Sequence, residues 1–179
     1  RPDQDKWSSN TWPIYSRIQY ANKRALMLGT DERTHAKLGT PPAWAECHPP
    51  MEITVQKFFS QLHCTLPING GARENWPRAG LEAMAAGVPI VAQNAWGWRE
   101  MIEHGVTGFL GSSDEELAHW AATLAYDEPL RLRLAHAARE RLVATLATPP
   151  TCGRPGKLSS PQSPANPGRP HDDQRATAR

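Results

Sequence analysis

Short apolar runs alternate with helical patterns along most of this chain, and that alternation limits its fold more than any other feature. Strand-like runs occupy Ala25–Leu28, 64–68, 88–92 and, more weakly, 108–110. Parallel strands need long crossover connections, and strands separated by helices are therefore typical of a parallel sheet with helices on both faces. The sequence predicts an α/β domain of the Rossmann-like type.

Two helices near the end of this pattern are well marked. The first is predicted over Asp114–Tyr126, because Ser113 and Glu116 have the spacing of a capping box ahead of apolar residues at helical intervals. The second opens at Asp127-Glu-Pro. Its apolar residues, again at helical spacing, are Leu130, Leu134, Ala137, Ala138 and Leu142.

A shorter helix is predicted over Arg78–Ala86. Pro77 suits the first helical position, where a backbone amide has no helical partner, and Gly87 suits a left-handed cap at the carboxyl end.

The composition changes at Thr148. Residues 148–179 are rich in Pro, Ser, Gly and Arg and have almost no large apolar side chains. Such a segment cannot bury enough surface to offset the entropy of ordering it. We expect a folded domain over 1–147, incomplete at its start because Arg1 already reads as domain interior, and a disordered tail over 148–179.

Charge and cysteine content exclude several classes of function. The net charge is only +2, with basic residues spread along the chain, so no nucleic-acid partner is predicted. Cys47, Cys64 and Cys152 are far apart and lack a CxxC spacing, which supports neither disulfides nor a metal site. No apolar run approaches the roughly 20 residues that span a bilayer. We expect a cytoplasmic protein, with attachment to a membrane surface left open.

Two glutamates give the strongest indication of a functional site in this sequence. Glu74 and Glu82 have seven residues between them, the first in a loop and the second one turn inside the following helix. Both therefore lie near one helix amino terminus. A phosphate bound to the free amides around Arg78 and Ala79 would leave Glu82 to accept hydrogen bonds from ribose hydroxyls, and Glu74 to reach a sugar beyond the diphosphate.

This stretch resembles the E-x7-E motif of the family-four (group 1) retaining glycosyltransferases, whose GT-B fold pairs two Rossmann-like domains across a donor-binding cleft. The resemblance continues through 94–110, where Gly97 and Glu100 precede Gly-Val-Thr-Gly-Phe-Leu. It implies the carboxyl-terminal, donor-binding domain of such an enzyme, truncated at its amino end. Residues 1–7 resemble the segment after the family's Gly-Arg phosphate loop, and by that resemblance Lys6 grips the donor diphosphate.

The resemblance also implies a reaction. A hexosyl group would move from a UDP- or GDP-sugar to an unidentified acceptor with retention, without a cofactor or metal. The missing amino-terminal domain would bind the acceptor, and this chain alone would be inactive. The implied catalytic residues are Lys6 and Glu74, and the implied donor-binding residues are Lys6, Glu74, Arg78, Ala79 and Glu82.

Two positions of this chain depart from the family pattern. Pro77 stands where the family often has Gly, and Trp96 replaces the first Gly of a common pair. Trp76 and Trp98 are expected to serve in packing rather than in sugar stacking. A non-catalytic or degenerate nucleotide-sugar-binding module and a sugar-nucleotide epimerase-like domain remain alternatives.

Overall fold

The structure, a computed structural model, describes residues 4–147. The tail predicted for 148–179 lies outside these residues. The chain begins with a 3-10 turn, Gln4–Lys6, and continues through α1 (Thr11–Ser16), β1 (Ala25–Leu28), α2 (Glu32–Leu38), β2 (Ala45–His48), α3 (Val55–Phe59), α4 (Arg78–Ala86), β3 (Ile90–Gln93), α5 (Trp96–Met101), β4 (Gly108–Gly111), α6 (Asp114–Tyr126) and α7 (Glu128–Ala147).

All strand pairs are parallel. β1 pairs with β2 from Ala25 opposite Ala45 to Leu28 opposite His48. β3 pairs with β4 from Ile90 opposite Gly108. The α/β class with parallel strands that the sequence predicts is confirmed.

The sheet is divided where the sequence predicts a strand over 64–68. Only Thr65 is bridged, to Ile90: its amide donates to the Pro89 carbonyl and its own carbonyl accepts from the Val91 amide, each at 2.9 Å. The next bonds on either side would need amides from Pro67 and Pro89, and proline has none. The predicted strand is therefore wrong in extent, and the described strands form two separate two-stranded sheets.

The core lies on both faces of β3. Ile90 and Ala92 pack with residues of α4, α5 and α7, whereas Val91 packs with residues of α6 on the opposite face. Side chains alternate between the two faces of a strand, which explains this division. Helices therefore cover both faces of the β3–β4 sheet, as predicted.

Two predicted helix starts differ in detail from the structure. Pro77 is the N-cap of α4 rather than its first helical residue. At α6, Ser113 accepts from the Glu116 amide as expected, but the Glu116 carboxylate accepts from the Ser112 amide at 2.7 Å and not from that of Ser113. Gly87 adopts the predicted left-handed conformation, with φ 72°.

The burial of Tyr15 predicts how the stability of the fold changes at alkaline pH. Its hydroxyl donates to the Leu66 carbonyl at 2.7 Å, and burial raises the pKa of the Tyr15 phenol far above its usual value, with a smaller contribution from Cys64. The folded chain keeps this proton above about pH 10, where the unfolded chain releases it. The contribution of the protonated Tyr15 to the free energy of unfolding is complete below that pH. Above it, this contribution declines by about 1.4 kcal/mol per pH unit.

The variant Tyr15→Phe is therefore expected to lose stability less steeply between about pH 10 and 12 than the unsubstituted chain. Urea unfolding across this range measures the difference. Tyr126→Phe, which changes a tyrosine that is 67% exposed, is the matched control and is expected to follow the unsubstituted chain. Identical slopes for all three proteins would show that the Tyr15 proton is not held by the fold.

Candidate functional site

The five side chains singled out in the sequence line one cavity of about 750 Å³. They come from two distant parts of the chain, the 3-10 turn and the region from 74 to 82. The cavity residues are Lys6, Glu74, Arg78, Ala79 and Glu82, together with residues of β1 and of segment 61–69.

The loop before Glu74 holds Lys6 in place. The amides of Gly70 and Ala72 both donate to the Asp5 carbonyl, at 3.0 and 3.1 Å. A Cβ atom at Gly70 would lie 1.9 Å from the Trp7 carbonyl oxygen, so only glycine allows this approach. The contact fixes the 3-10 turn beside the loop and brings Lys6 to the cavity.

Lys6 and Glu74 form an ion pair, with 2.9 Å between Nζ and Oε1. The lysine side chain is 51% exposed and that of the glutamate 15%. A pair with one exposed partner contributes only about 0–1 kcal/mol. An anionic ligand can therefore compete with the carboxylate for Lys6, provided that hydroxyl groups of the ligand donate to the mostly buried Glu74 in its place.

The amino terminus of α4 offers unpaired backbone donors. Pro77 makes no side-chain cap, and its carbonyl accepts from the Gly80 amide at 2.9 Å. Within residues 4–147 the amides of Arg78 and Ala79 have no hydrogen-bond partner. Free amides at a helix start carry partial positive charge, so this end of the cavity favours a phosphate or another anion.

Glu82 lies one turn further along α4 and also lines the cavity. Its side chain is half-buried, and its carboxylate has no hydrogen-bond or ionic partner in the described part of the chain. The site therefore combines a cation, two free amides and a carboxylate that is available as an acceptor.

The start of α5 supports the loop that carries Glu74. The Gly97 amide donates to the Glu74 carbonyl at 2.9 Å, and a Cβ atom at Gly97 would lie 1.6 Å from the Asn75 carbonyl oxygen. The sequence indicated Gly97 only through the family resemblance and the altered Trp96-Gly97 pair, and its contact with the Glu74 loop was not predicted. The glycine itself was the available indication, because a close backbone approach requires one.

The tryptophans of this region differ in position. Trp98 is 2% exposed and packs in the core against α4. Trp76 is 48% exposed, and its indole donates to Glu100 at 3.3 Å. Trp96 has a positive φ of 45°, a conformation in which glycine is common.

Residues 4–147 contain no candidate metal cluster and no candidate membrane span. No three His, Cys, Asp or Glu side chains in this range are grouped so that they could hold a metal ion. No helix within the same range is long and apolar enough to cross a membrane.

Residues 54–141 match the sequence profile of the family Glycosyl transferases group 1. This segment contains Glu74, Glu82 and the run that ends at Leu110. Over this segment the chain is therefore similar to the group 1 glycosyl transferases.

Solved structures share its fold. Sucrose-phosphate synthase from Thermosynechococcus elongatus matches with a TM-score of 0.66 and 20% identity over 80% of this chain and 39% of its own. HepE from Anabaena, in complex with UDP, matches with a TM-score of 0.64 and 22% identity over 80% and 42%. A glycosyltransferase from Rickettsia africae matches with a TM-score of 0.62 and 16% identity over 78% and 41%.

These likenesses confirm the GT-B type of fold for the part that the chain covers. The chain spans about two fifths of the length of these structures.

Proposed function

We propose that this chain is the donor-binding part of a glycosyltransferase and binds a nucleoside-diphosphate sugar in the cavity around α4. The observation that carries the proposal is the grouping of the Lys6–Glu74 ion pair, the free amides of Arg78 and Ala79, and the unpartnered carboxylate of Glu82. The match of residues 54–141 to the group 1 family supports it. So do the complexes of Anabaena HepE with UDP and with UDP-glucose, which show the ligands of a protein that shares this fold.

The chemistry of the cavity matches each part of such a donor. The diphosphate binds to the amides of Arg78 and Ala79 and to the Lys6 ammonium, where the positive potential is concentrated. Glu82 accepts hydrogen bonds from the ribose hydroxyls. Glu74 accepts them from the sugar beyond the diphosphate. The donor is a UDP- or GDP-sugar and serves as a substrate.

For the reaction we propose transfer of a hexosyl group to an acceptor hydroxyl with retention. Charge grows on the departing diphosphate, and preorganised donors stabilise it most effectively in the transition state. Lys6 and the amides at the start of α4 supply that positive potential without a metal ion or cofactor, and Glu74 orients the sugar. Acceptor binding requires a domain outside this chain.

The two alternative functions differ in their products. A sugar-nucleotide epimerase converts the donor, a transferase yields a glycosylated acceptor, and a non-catalytic module yields neither. The family match of residues 54–141 favours transfer over epimerisation. In a protein that adds the acceptor domain, the anomeric proton coupling of the product tests retention, and an inverted anomer would contradict it.

Amide chemical shifts locate the ligand directly. On addition of UDP-glucose to the isotope-labelled chain, the largest shifts are expected at Arg78 and Ala79, because their amides would gain charged acceptors. Shifts confined to residues away from the cavity would contradict the proposed site.

The variant Lys6→Met is expected to bind UDP about tenfold or more weakly, because a hydrogen bond to a charged group contributes about 1.5–3 kcal/mol. Binding of uridine, which has no phosphate, should hardly change. Lys57→Met is the matched control, since Lys57 is exposed and does not line the cavity. Fluorescence or calorimetric titration measures all three proteins. An equal loss for uridine and UDP would show that Lys6 does not contact the diphosphate.

A further inference from the structure

His48, the last residue of β2, lies between two carboxylates. Its Nδ1 is 2.7 Å from Oε2 of Glu52, and its Nε2 is 3.0 Å from Oε1 of Glu46. The imidazole is only 13% exposed, whereas the two glutamate side chains are 42% and 52% exposed. The ring therefore connects β2 to the turn that follows it.

Both contacts are hydrogen bonds only if the ring carries two protons. An ionised carboxylate can only accept, and a neutral imidazole has a single N–H, so the neutral ring can donate to one glutamate at most. Arg24 Nε donates to Oε2 of Glu46 at 3.1 Å, and this bond lowers the pKa of the Glu46 carboxyl from its usual value. Glu46 therefore stays ionised at neutral pH, and the arrangement is that of an imidazolium between two carboxylates.

The charged groups around His48 set what happens when the ring loses a proton. Within residues 4–147 its ionic partners are Glu46 and Glu52, and Arg24 pairs with Glu46 on the side away from the ring. Asp31, at the start of the neighbouring α2, accepts from the Thr34 amide at 2.8 Å. Glu52 has no cationic partner other than His48 in the described part of the chain.

The turn after β2 depends on this contact. The Glu52 amide donates to the Pro49 carbonyl at 3.3 Å, and Met51, the third residue of the turn, has a φ of 68°. Glycine or asparagine is favoured at such a position, and another residue costs about 1–2 kcal/mol. Met51 is 95% exposed, so packing does not offset this strain. The contact with His48 thus holds a turn that its own sequence disfavours.

The same histidine fixes part of the cavity wall. Its backbone carbonyl accepts from the amides of Gly29 and Thr30, at 2.9 and 3.1 Å. Gly29 lines the cavity, and so does Pro50 from the turn. Two neighbouring parts of the wall are therefore tied to His48, one through its backbone and one through its side chain.

We infer that His48 is a positioning residue that makes the cavity wall at Pro50 sensitive to pH. With two protons on the ring, both glutamates are bound and the turn is closed. With one proton, the contact to Glu52 is either lost or becomes a hydrogen bond from a neutral donor, which is about half as strong. The turn therefore loosens as the pH rises through the range in which histidine changes charge, about pH 5 to 8.

Backbone order parameters test this device without any ligand. In the 179-residue chain, those of Met51 and Glu52 are expected to fall by about 0.2 or more across the titration of the His48 Hε1 resonance. His48→Gln has one donor end and one acceptor end, as the neutral ring has, and should give the low values at every pH. Turn order that does not follow the His48 resonance would overturn the inference.

His136→Gln is the matched control. His136 also faces a glutamate four residues on, with its Nδ1 3.5 Å from Oε2 of Glu140, and its side chain is 77% exposed. It does not line the cavity. This variant is expected to keep the pH-dependent order of the turn, and loss of that dependence would show that the effect does not come from His48.

The affinity for a donor tests the consequence, which rests on the proposed function. UDP-glucose is the probe, because its diphosphate is esterified at both ends and lacks the second ionisation of a phosphate monoester. The unsubstituted chain is expected to bind it about two- to fivefold more tightly at pH 6 than at pH 8, the range for a partly exposed ion pair. His48→Gln should bind with the weaker affinity at both pH values. His63 also lines the cavity, and its titration is common to both proteins.

The two measurements separate the inference from the proposed function. If the turn follows His48 but UDP-glucose does not bind at any pH, the donor site is contradicted and the pH-sensitive turn is supported. If UDP-glucose binds with the same pH dependence in His48→Gln and in the unsubstituted chain, the donor site is supported and the control of the wall by His48 is overturned.

Discussion

Replacing Gly97 with alanine is expected to lower the free energy of unfolding by about 3 kcal/mol or more, the upper range for overpacking. The added Cβ would meet backbone atoms, at 1.6 Å from the Asn75 carbonyl oxygen and 2.7 Å from that of Glu74. Backbone in a loop held at both ends cannot yield as a flexible side chain does. The hydrogen bond from the Gly97 amide to the Glu74 carbonyl would be lost as well, so Glu74 should shift from its place beside Lys6.

Gly105→Ala separates the collision from backbone strain. Gly105 has a φ of 77° and nothing within 4 Å of an added Cβ atom, so its substitution costs only the strain of a left-handed residue, about 1–2 kcal/mol. Urea unfolding of both variants measures the difference. Equal losses would contradict the close approach at Gly97, whereas a larger loss at Gly97 with weaker binding of UDP-glucose would confirm that α5 positions Glu74.

The variant Glu82→Ala is expected to bind UDP about 10- to 100-fold more weakly, because two hydroxyl donors would lose a charged acceptor. Alanine has the highest helix propensity, so α4 should persist and the loss should be confined to binding. Glu140→Ala is the matched control, since Glu140 is exposed on α7 and does not line the cavity. Calorimetric titration measures the three dissociation constants.

A nucleotide without ribose hydroxyls shows which contact is lost. The unsubstituted chain and Glu82→Ala should bind 2′,3′-dideoxy-UDP with similar affinity, because this nucleotide has no ribose hydroxyl groups that could donate to a carboxylate at position 82. If the substitution weakens the dideoxy nucleotide as much as UDP, Glu82 does not recognise the ribose.

Local patterns were sufficient to predict several elements to the residue. The bounds of α4 and α6 follow from Gly87 at the end of one and Ser113 at the start of the other, because caps and glycine stops act within a single turn. The spacing of Glu74 and Glu82 likewise follows from the start of α4, and it indicated a site at that helix terminus before any tertiary contact was known.

Features that depend on contacts distant in sequence could not be predicted. The amides of Gly70 and Ala72 hold the turn that carries Lys6, and nothing in the sequence around Lys6 shows that contact. Strand β2 was missed because Ala45–His48 contains Glu46 and His48 and therefore lacks an apolar run. The short helices were missed because five to seven residues give too few repeats for a periodicity. The interrupted pairing of 64–68 could have been predicted from Pro67 and Pro89, which stand where the sheet needs amide donors. That prediction requires the register with β3, which the sequence does not give.

Isothermal titration calorimetry of the unmodified 179-residue chain with UDP, GDP and their glucose and mannose conjugates tests the central claim most directly. We predict saturable binding at one site per chain for the nucleotides of one base, with each sugar conjugate competing against its free nucleotide. Absence of saturable heat with all of these ligands would contradict the assignment of the cavity around α4 as a donor site.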